Sequence, residues 1–156
     1  MRPSCALLLS AFLLSSAPSC IFGGAETPSS YEPPDERLIL FNFGSADVNA
    51  EGHFALGYAA AYLDVSPSMH VLIVGHSDGR GTREANRDMS FRRARSARKI
   101  LLEHGVAANR ILIAAPRAKE GTSMPALSRR ADVYVYDPVK DEISKRLGYE
   151  VELRAE

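Results

Sequence analysis

The chain has 156 residues, of which 46% are hydrophobic, and it carries 19 Lys and Arg against 19 Asp and Glu. This size fits one globular domain and excludes a multidomain protein. The zero formal net charge argues against a general nucleic-acid binder, because such proteins need an excess of cations along the phosphates. Both cysteines, Cys5 and Cys20, lie near the N-terminus, so no disulfide framework is expected in the folded part.

The N-terminal segment predicts export. Residues 1–19 resemble a signal peptide, with Arg2, a short apolar run and small residues before Cys20. The cysteine stands where bacterial lipoproteins carry their lipidated first residue, although Ala17 replaces the usual Leu. We therefore expect a lipidated Cys20 and a polar, flexible linker over residues 20–36. The alternative is an ordinary signal peptide that leaves a soluble periplasmic protein.

Residues 37–137 predict a folded domain with six elements. The predicted ranges are strand 38–43, helix 49–65, strand 71–74, helix 83–104, strand 110–115 and strand 131–136. This order predicts a two-layer α/β sandwich with both helices on one face of a mixed sheet. The charged tail over residues 138–156 is expected to form a terminal helix or to be disordered.

Local patterns refine these elements. The first helix shows apolar residues at steps of three and four, which predict its buried face: Phe54, Tyr58, Ala61, Tyr62 and Val65. Gly105 follows the second helix, where a left-handed residue is favoured. In the last strand, Val133 and Val135 alternate with tyrosines, so one wetter face is expected there.

One arginine of the second helix lies on its apolar stripe. Arg93 is four residues from both Met89 and Ala97, which places the three side chains on one helix face. A guanidinium on a partly buried face needs a partner, because an unpaired buried charge is strongly destabilising. Asp78, in the turn before the helix, is the obvious partner. The two side chains either form an intramolecular ion pair or stay apart and receive a ligand that carries both charges.

The residues around this turn predict neither catalysis nor a metal site. His76 and Asp78 are two positions apart, but a convincing metal site needs three or four ligands and the other histidines lie elsewhere. Ser77 cannot form a catalytic triad with them, because neighbouring side chains on one turn point apart. The sequence therefore predicts that the protein is not an enzyme and that it uses no metal or cofactor.

Two motifs carry a family resemblance. Residues 75–82, GHSDGRGT, and residues 86–94, NRDMSFRRA, resemble the GHTDxxGT and NxxLSxxRA motifs of the OmpA-like C-terminal domain family, in particular its peptidoglycan-associated lipoproteins. The likeness extends over about residues 38–136 and implies the β-α-β-α-β-β sandwich of that family. It also implies non-covalent binding of peptidoglycan, through the diaminopimelate residue of the stem peptide, by a protein that tethers the outer membrane to the cell wall.

The resemblance further implies a set of ligand contacts. Asp78 would receive the ligand ammonium and Arg93 its carboxylate. Asn86 would brace the turn or bond the polar edge of the ligand. The remaining contacts would come from the loop after the first strand and from the start of the last strand: Asn42, Gly44, Ser45 and Arg130.

The expected partners are peptidoglycan and, through the lipid anchor, the outer membrane of a Gram-negative bacterium, with the domain facing the periplasm. Other envelope proteins stay open as partners, and no nucleic acid is expected. The alternative function is an interaction module of the envelope that docks an acidic partner through its Arg-rich helix. The arginines concerned are Arg87, Arg92, Arg95 and Arg98.

Overall fold

The computed structural model describes residues 37–117, 126–140, 142, 145 and 147–154. The predicted signal peptide, Cys20 and the linker lie outside the described residues. The elements are β1 (Arg37–Leu40), α1 (Ala50–Val65), β2 (His70–Gly75), α2 (Arg83–Glu103), β3 (Ile111–Pro116), β4 (Arg130–Tyr136) and β5 (Val151–Arg154). A 3₁₀ turn over Ala108–Arg110 precedes β3.

The strands of the described chain form one mixed sheet in the order β1-β4-β2-β3-β5. The neighbours β2 and β3 are parallel, and the other neighbouring pairs are antiparallel. Both helices contribute to one large apolar core on the same face of the sheet, with Leu56 from α1, Leu101 from α2 and Ile73 from β2. The predicted α/β sandwich, with both helices on one face, is therefore confirmed.

The buried face of α1 differs from its prediction. Phe54 and Val65 are 78% and 76% exposed, and the buried positions are Gly52, Leu56, Ala59, Ala60 and Leu63. The reason is the close approach of the helix to the sheet. A Cβ on Gly52 would lie 2.9 Å from Cγ2 of Ile39 in β1, so small residues and leucines fit at this contact where aromatic side chains do not.

The C-terminal tail corrects a second prediction. Val151–Arg154 forms a strand rather than a helix or a disordered segment, and it pairs antiparallel with β3. Leu147 and Tyr149 pack with Val151 in a small apolar cluster on the face of the sheet that the helices leave open. Tyr134 is consequently buried in that cluster, and the prediction of a wetter face on β4 is wrong.

Candidate ligand-binding site

The turn after β2 is held against α2 because glycine allows a very close approach. A Cβ built on Gly75 would lie 1.9 Å from the backbone oxygen of Ser90, so no other residue fits between the strand and the helix. Gly79 and Gly81 follow with φ values of 72° and 92°, in the left-handed region that favours glycine. These glycines bring the residues after β2 back over the first turns of α2, where Asp78 lies.

Asn86 and Thr82 brace this turn. The Thr82 hydroxyl accepts a hydrogen bond from the backbone N–H of Ala85 at 3.2 Å and caps α2. The Asn86 amide donates to the backbone oxygens of Arg80 and Thr82 at 3.0 and 2.8 Å. Asn86 therefore fixes the conformation of the turn from the helix side, which is one of the two roles expected for it.

Arg93 is buried, as its position on the apolar stripe predicts, with only 1% of its surface exposed. Its guanidinium donates to three backbone oxygens, those of His76 at 2.7 Å, Ser45 at 3.1 Å and Asn42 at 3.5 Å. Burial lowers the pKa of Arg93 to about 10, and the nearby negative charge of Asp78 opposes this shift. Arg93 therefore stays charged at neutral pH and ties the β1–α1 loop to the turn after β2.

Asp78 lies near Arg93 but does not pair with it. No ion pair joins the two side chains in the described structure, so the first of the two alternatives, an intramolecular bridge between them, is not seen. Instead, Oδ1 of Asp78 accepts from the backbone N–H of Arg80 at 3.3 Å, and Oδ2 lies 3.6 Å from Nη1 of Arg129. Oδ2 is shielded from solvent and has no hydrogen-bond partner. The carboxylate thus retains an unused acceptor.

The β1–α1 loop forms the other side of this arrangement. β1 ends at Leu40, earlier than predicted, and the chain turns so that backbone oxygens of Asn42 and Ser45 face Arg93. Gly44 supports the turn with a φ of 69°, and the backbone N–H of Ser45 donates to the Asn42 oxygen at 3.2 Å. The loop therefore meets Arg93 through backbone groups.

The structure does not bring Arg130 to Asp78 and Arg93. Its guanidinium donates to Asp132, with an Nε to Oδ1 distance of 2.9 Å, and to the Leu127 oxygen at 3.2 Å. Arg129 lies beside Asp78 instead, a placement that the sequence reasoning missed. The signal was strand alternation, because the first residue before β4 shares the face of Ala131, which belongs to the main core.

A second buried polar cluster lies on the opposite face of the sheet. The ring Nε2 of His76 lies 2.9 Å from Oδ2 of Asp132, and both side chains are almost completely buried. Arg130 bonds the same carboxylate, and the Tyr149 hydroxyl lies 3.5 Å from His76 Nε2. Since the His76 backbone oxygen accepts from Arg93, this residue connects the two faces.

A cavity of about 720 Å³ adjoins the same turn but is separate from the Asp78 and Arg93 pair. It is lined by Ser77 and Gly79 of the turn, by Arg87 of α2 and by Glu152 of β5, among others. Arg87 and Glu152 form a two-bond ion pair, with Nε of the arginine 2.8 Å from Oε2. This hydrogen bond raises the pKa of Arg87 and lowers that of Glu152. One arginine of the predicted Arg-rich docking surface is therefore paired within the chain.

Two features are absent from the described part of the chain. No helix among the described residues is long and apolar enough to cross a bilayer. The described part of the chain also contains no group of three or more His, Cys, Asp or Glu side chains placed to hold a metal ion.

Two peptidoglycan-associated lipoproteins resemble the chain over 91 and 94 residues. It is 34% identical over 91 residues to a peptidoglycan-associated lipoprotein of Mesorhizobium japonicum, which covers 56% of this chain and 54% of that protein. It is 33% identical over 94 residues to the peptidoglycan-associated lipoprotein of Legionella pneumophila, which covers 59% and 53%. The chain spans about half the length of the curated relatives it matches.

The fold also matches solved structures. The crystal structure of the peptidoglycan-associated lipoprotein from Burkholderia pseudomallei superposes with a TM-score of 0.58 at 31% identity, covering 64% of this chain and 90% of that one. The OmpA-like domain of FopA1 from Francisella tularensis shares the fold at 17% identity, with a TM-score of 0.54 over 65% and 74% of the two chains. The OmpA family model matches residues 40–132, more than half of the sequence. The chain therefore belongs to the OmpA family.

Proposed function

We propose that this chain is a binding module that holds peptidoglycan non-covalently through the diaminopimelate residue of the stem peptide. One observation carries the proposal: Asp78 and Arg93 lie close together at the junction of two loops without pairing with each other. The free end of diaminopimelate carries an ammonium and a carboxylate on one carbon. Membership of the OmpA family, and relatives that are named peptidoglycan-associated lipoproteins, support this assignment.

Asp78 would accept the ligand ammonium. Its Oδ2 atom has no hydrogen bond in the unliganded protein, so an ammonium would satisfy an acceptor that is otherwise left unused. Asn86 contributes indirectly, because it holds the turn that carries Asp78.

Arg93 would bind the ligand carboxylate. A guanidinium has five N–H donors, and three of them are directed at backbone oxygens, so one N–H on each terminal nitrogen remains. The bond to the Asn42 oxygen is the longest of the three, at 3.5 Å, and is the one that a carboxylate displaces most easily. The two shorter bonds hold the guanidinium plane in place before the ligand arrives, which reduces the entropy lost on binding. The loop over residues 42–45 supplies the adjacent backbone wall.

Such a site is expected to bind a single stem peptide weakly. The many stem peptides of the cell wall raise the overall affinity. Hydrogen bonds to charged groups contribute about 1.5 to 3 kcal/mol each, which is offset in part by the cost of association. Peptidoglycan repeats the same epitope, and acyl chains on Cys20 would confine the domain near it, so a high effective concentration replaces a strong single contact. In this proposal the protein tethers the outer membrane to the cell wall from the periplasmic side and catalyses no reaction.

The test is sedimentation of the purified protein with isolated peptidoglycan. We expect Asp78→Asn and Arg93→Ala to remain in the supernatant, because each removes one of the two charges that the ligand requires. Arg92→Ala is the matched control: Arg92 is the exposed neighbour of Arg93 on α2 and should leave sedimentation unchanged.

Arg93→Ala removes a buried side chain, so its thermal unfolding is recorded in parallel. Asp78→Asn preserves the shape of the side chain and provides the clean comparison. Sedimentation of the folded Asp78→Asn protein at the wild-type level would show that the ligand does not use this carboxylate and would overturn the proposed function.

A further inference from the structure

Helix α1 has an apolar side that faces away from the core. The core takes the side with Leu56 and Leu63. The opposite side carries an apolar stripe at steps of four, three and four residues, which we call the outer stripe: Phe54, Tyr58, Ala61 and Val65. Phe54 and Val65 are 78% and 76% exposed, Ala61 is exposed as well, and Tyr58, whose ring contacts the Arg37 guanidinium, is partly exposed. An exposed apolar stripe of this kind is typical of an interaction surface.

The size and charge of the helix favour a protein partner over a lipid surface. α1 has 16 residues and is therefore about 24 Å long. One such helix on each side buries less than the roughly 1,200 Å² of a standard interface, so the expected complex is weak and depends on concentration. α1, which the structure describes in full, carries Glu51 and Asp64 but no Lys or Arg. Helices that lie on anionic membranes carry Lys and Arg on their polar face instead.

The side chains of the outer stripe differ in size in a way that fits a second copy of the chain. In an antiparallel pair centred between Tyr58 and Ala61, Tyr58 of each copy meets Ala61 of the other. Phe54 of each copy likewise meets Val65 of the other. Each layer then joins an aromatic side chain with a smaller one, so the layers have similar volumes. A parallel pair would place two tyrosines in one layer and two alanines in the next, which leaves a gap.

The charges of α1 favour the same orientation. His53, which is positive when protonated, and Asp64 are exposed and flank the outer stripe on one side. In the antiparallel pair, His53 of one copy comes within about 3 Å, measured along the helix axis, of the level of Asp64 of the other. Glu51 falls beyond Val65, where the helix of the other copy ends, so its charge stays in water. In a parallel pair each acid would lie beside its own copy, and like charges repel.

We propose that the outer stripe of α1 is an interface between two copies of this chain, which pair antiparallel about a two-fold axis near Tyr58 and Ala61. This inference does not depend on the ligand. One consequence of it rests on the proposed function: a dimer carries two sites formed by Asp78 and Arg93. It would engage a repeated epitope at two points, which raises the overall affinity without a new contact.

Cysteine cross-linking tests the orientation. The experiment uses residues 20–156 with Cys20→Ser, a chain without lipid and without thiols, because Cys5 and Cys20 are the two cysteines of the sequence. In Ala61→Cys the two new thiols lie beside the axis, and we expect a disulfide-linked dimer on oxidation. Val65→Cys is the matched control on the same exposed stripe. Its two thiols are about 16 Å apart along the helix axis in the antiparallel pair, so it should stay monomeric.

Sedimentation velocity measures the association itself, over an about hundredfold range of protein concentration. We expect the average mass of the chain without an added cysteine to rise toward that of a dimer. Phe54→Asp should raise the dissociation constant about tenfold or more, because it replaces a large apolar contact in each copy with a charge. Val139→Asp is the control, since Val139 is 91% exposed and lies outside α1. It should associate like the parent chain.

Two results would overturn this inference: a chain that stays monomeric at every concentration, or cross-linking of Val65→Cys as fast as that of Ala61→Cys. A monomer that binds vesicles of phosphatidylethanolamine and phosphatidylglycerol, and loses this binding in Phe54→Asp, would assign the outer stripe to a lipid surface and also overturn it. The proposed function is tested separately by the sedimentation of Asp78→Asn with peptidoglycan, so the failure of either one leaves the other standing.

Discussion

Each face of the sheet buries a charged cluster, and the two clusters are satisfied in different ways. On the face away from the helices, the Asp132 carboxylate contacts both His76 and Arg130, at a distance of 2.9 Å from each. On the helix face, the hydrogen bonds of Arg93 go to backbone oxygens, and Asp78 keeps an acceptor that no hydrogen bond uses. The first cluster is satisfied within the protein, whereas the second leaves an acceptor on Asp78 that we propose a ligand uses.

The two clusters are expected to contribute differently to the stability of the fold. A buried network in which every member has a partner makes the fold specific, and the loss of one member leaves its partners unpaired. A cluster with an unused acceptor and spare donors contributes less to the fold and offers those groups to a ligand. The ring of His76 contacts Asp132 in the first cluster, and the backbone oxygen of His76 accepts from Arg93 in the second. The first cluster therefore helps to position the second.

The largest expected effect on stability comes from breaking the cluster of His76, Asp132 and Arg130. Asp132→Asn removes the negative charge that Arg130 and His76 share, and we expect the free energy of unfolding to fall by about 3 kcal/mol. Urea unfolding followed by circular dichroism measures the change. Peptidoglycan binding by the folded fraction should persist, and a fully stable Asp132→Asn protein would contradict the structural role of this cluster.

A smaller effect is expected from the apolar cover over the same face. Leu147→Ala should lower the free energy of unfolding by about 2 kcal/mol, because Leu147 is buried among the tyrosines of β4 and the substitution leaves a cavity. The measurement is again urea unfolding. A change near zero would mean that the C-terminal segment does not pack on the sheet in solution.

The smallest effect is expected at the exposed ion pair between α2 and β5. Arg87 lowers the folded-state pKa of Glu152, so this pair stabilises the protein above the usual carboxyl pKa of about 4 and its contribution is lost as the pH falls through the lowered value. Glu152→Gln should therefore unfold slightly more easily than wild type at neutral pH, and the two proteins should converge in acid. A difference that stayed constant with pH would exclude a role for this charge.

The sequence predicted those features that depend on local spacing. Arg93 was assigned to a buried face because it recurs with Met89 and Ala97, and the structure buries it. The element order likewise follows from hydrophobic periodicity, as does the left-handed Gly105, whose φ is 86°. The local pattern predicted the wrong buried face for α1. Phe54 and Val65 fit the helical period, but the small residues of the helix fit it equally well and are the ones that pack against the sheet.

The remaining features depend on tertiary contacts or on how a strand is placed within the sheet. Two adjacent arginines could reach Asp78. Side chains at the start of β4 alternate between the two faces of the sheet, and this alternation places Arg129 rather than Arg130 beside Asp78. The strand β5 is short and charged, so its propensity alone does not predict it. It forms because β3 offers an unpaired edge and because Leu147 covers the open face. The family match ends at residue 132, before this segment begins.

The most direct test of the contrast between the two clusters measures stability and binding on the same pair of variants. Asp78→Asn and Asp132→Asn are compared with wild type by urea unfolding and by sedimentation with isolated peptidoglycan. If Asp78 and Arg93 form a ligand site, Asp78→Asn should unfold like wild type but no longer sediment. Asp132→Asn should be destabilised, and its folded fraction should still sediment. If instead Asp78→Asn is the destabilised protein and sediments normally, Asp78 is part of the fold and not of a ligand site.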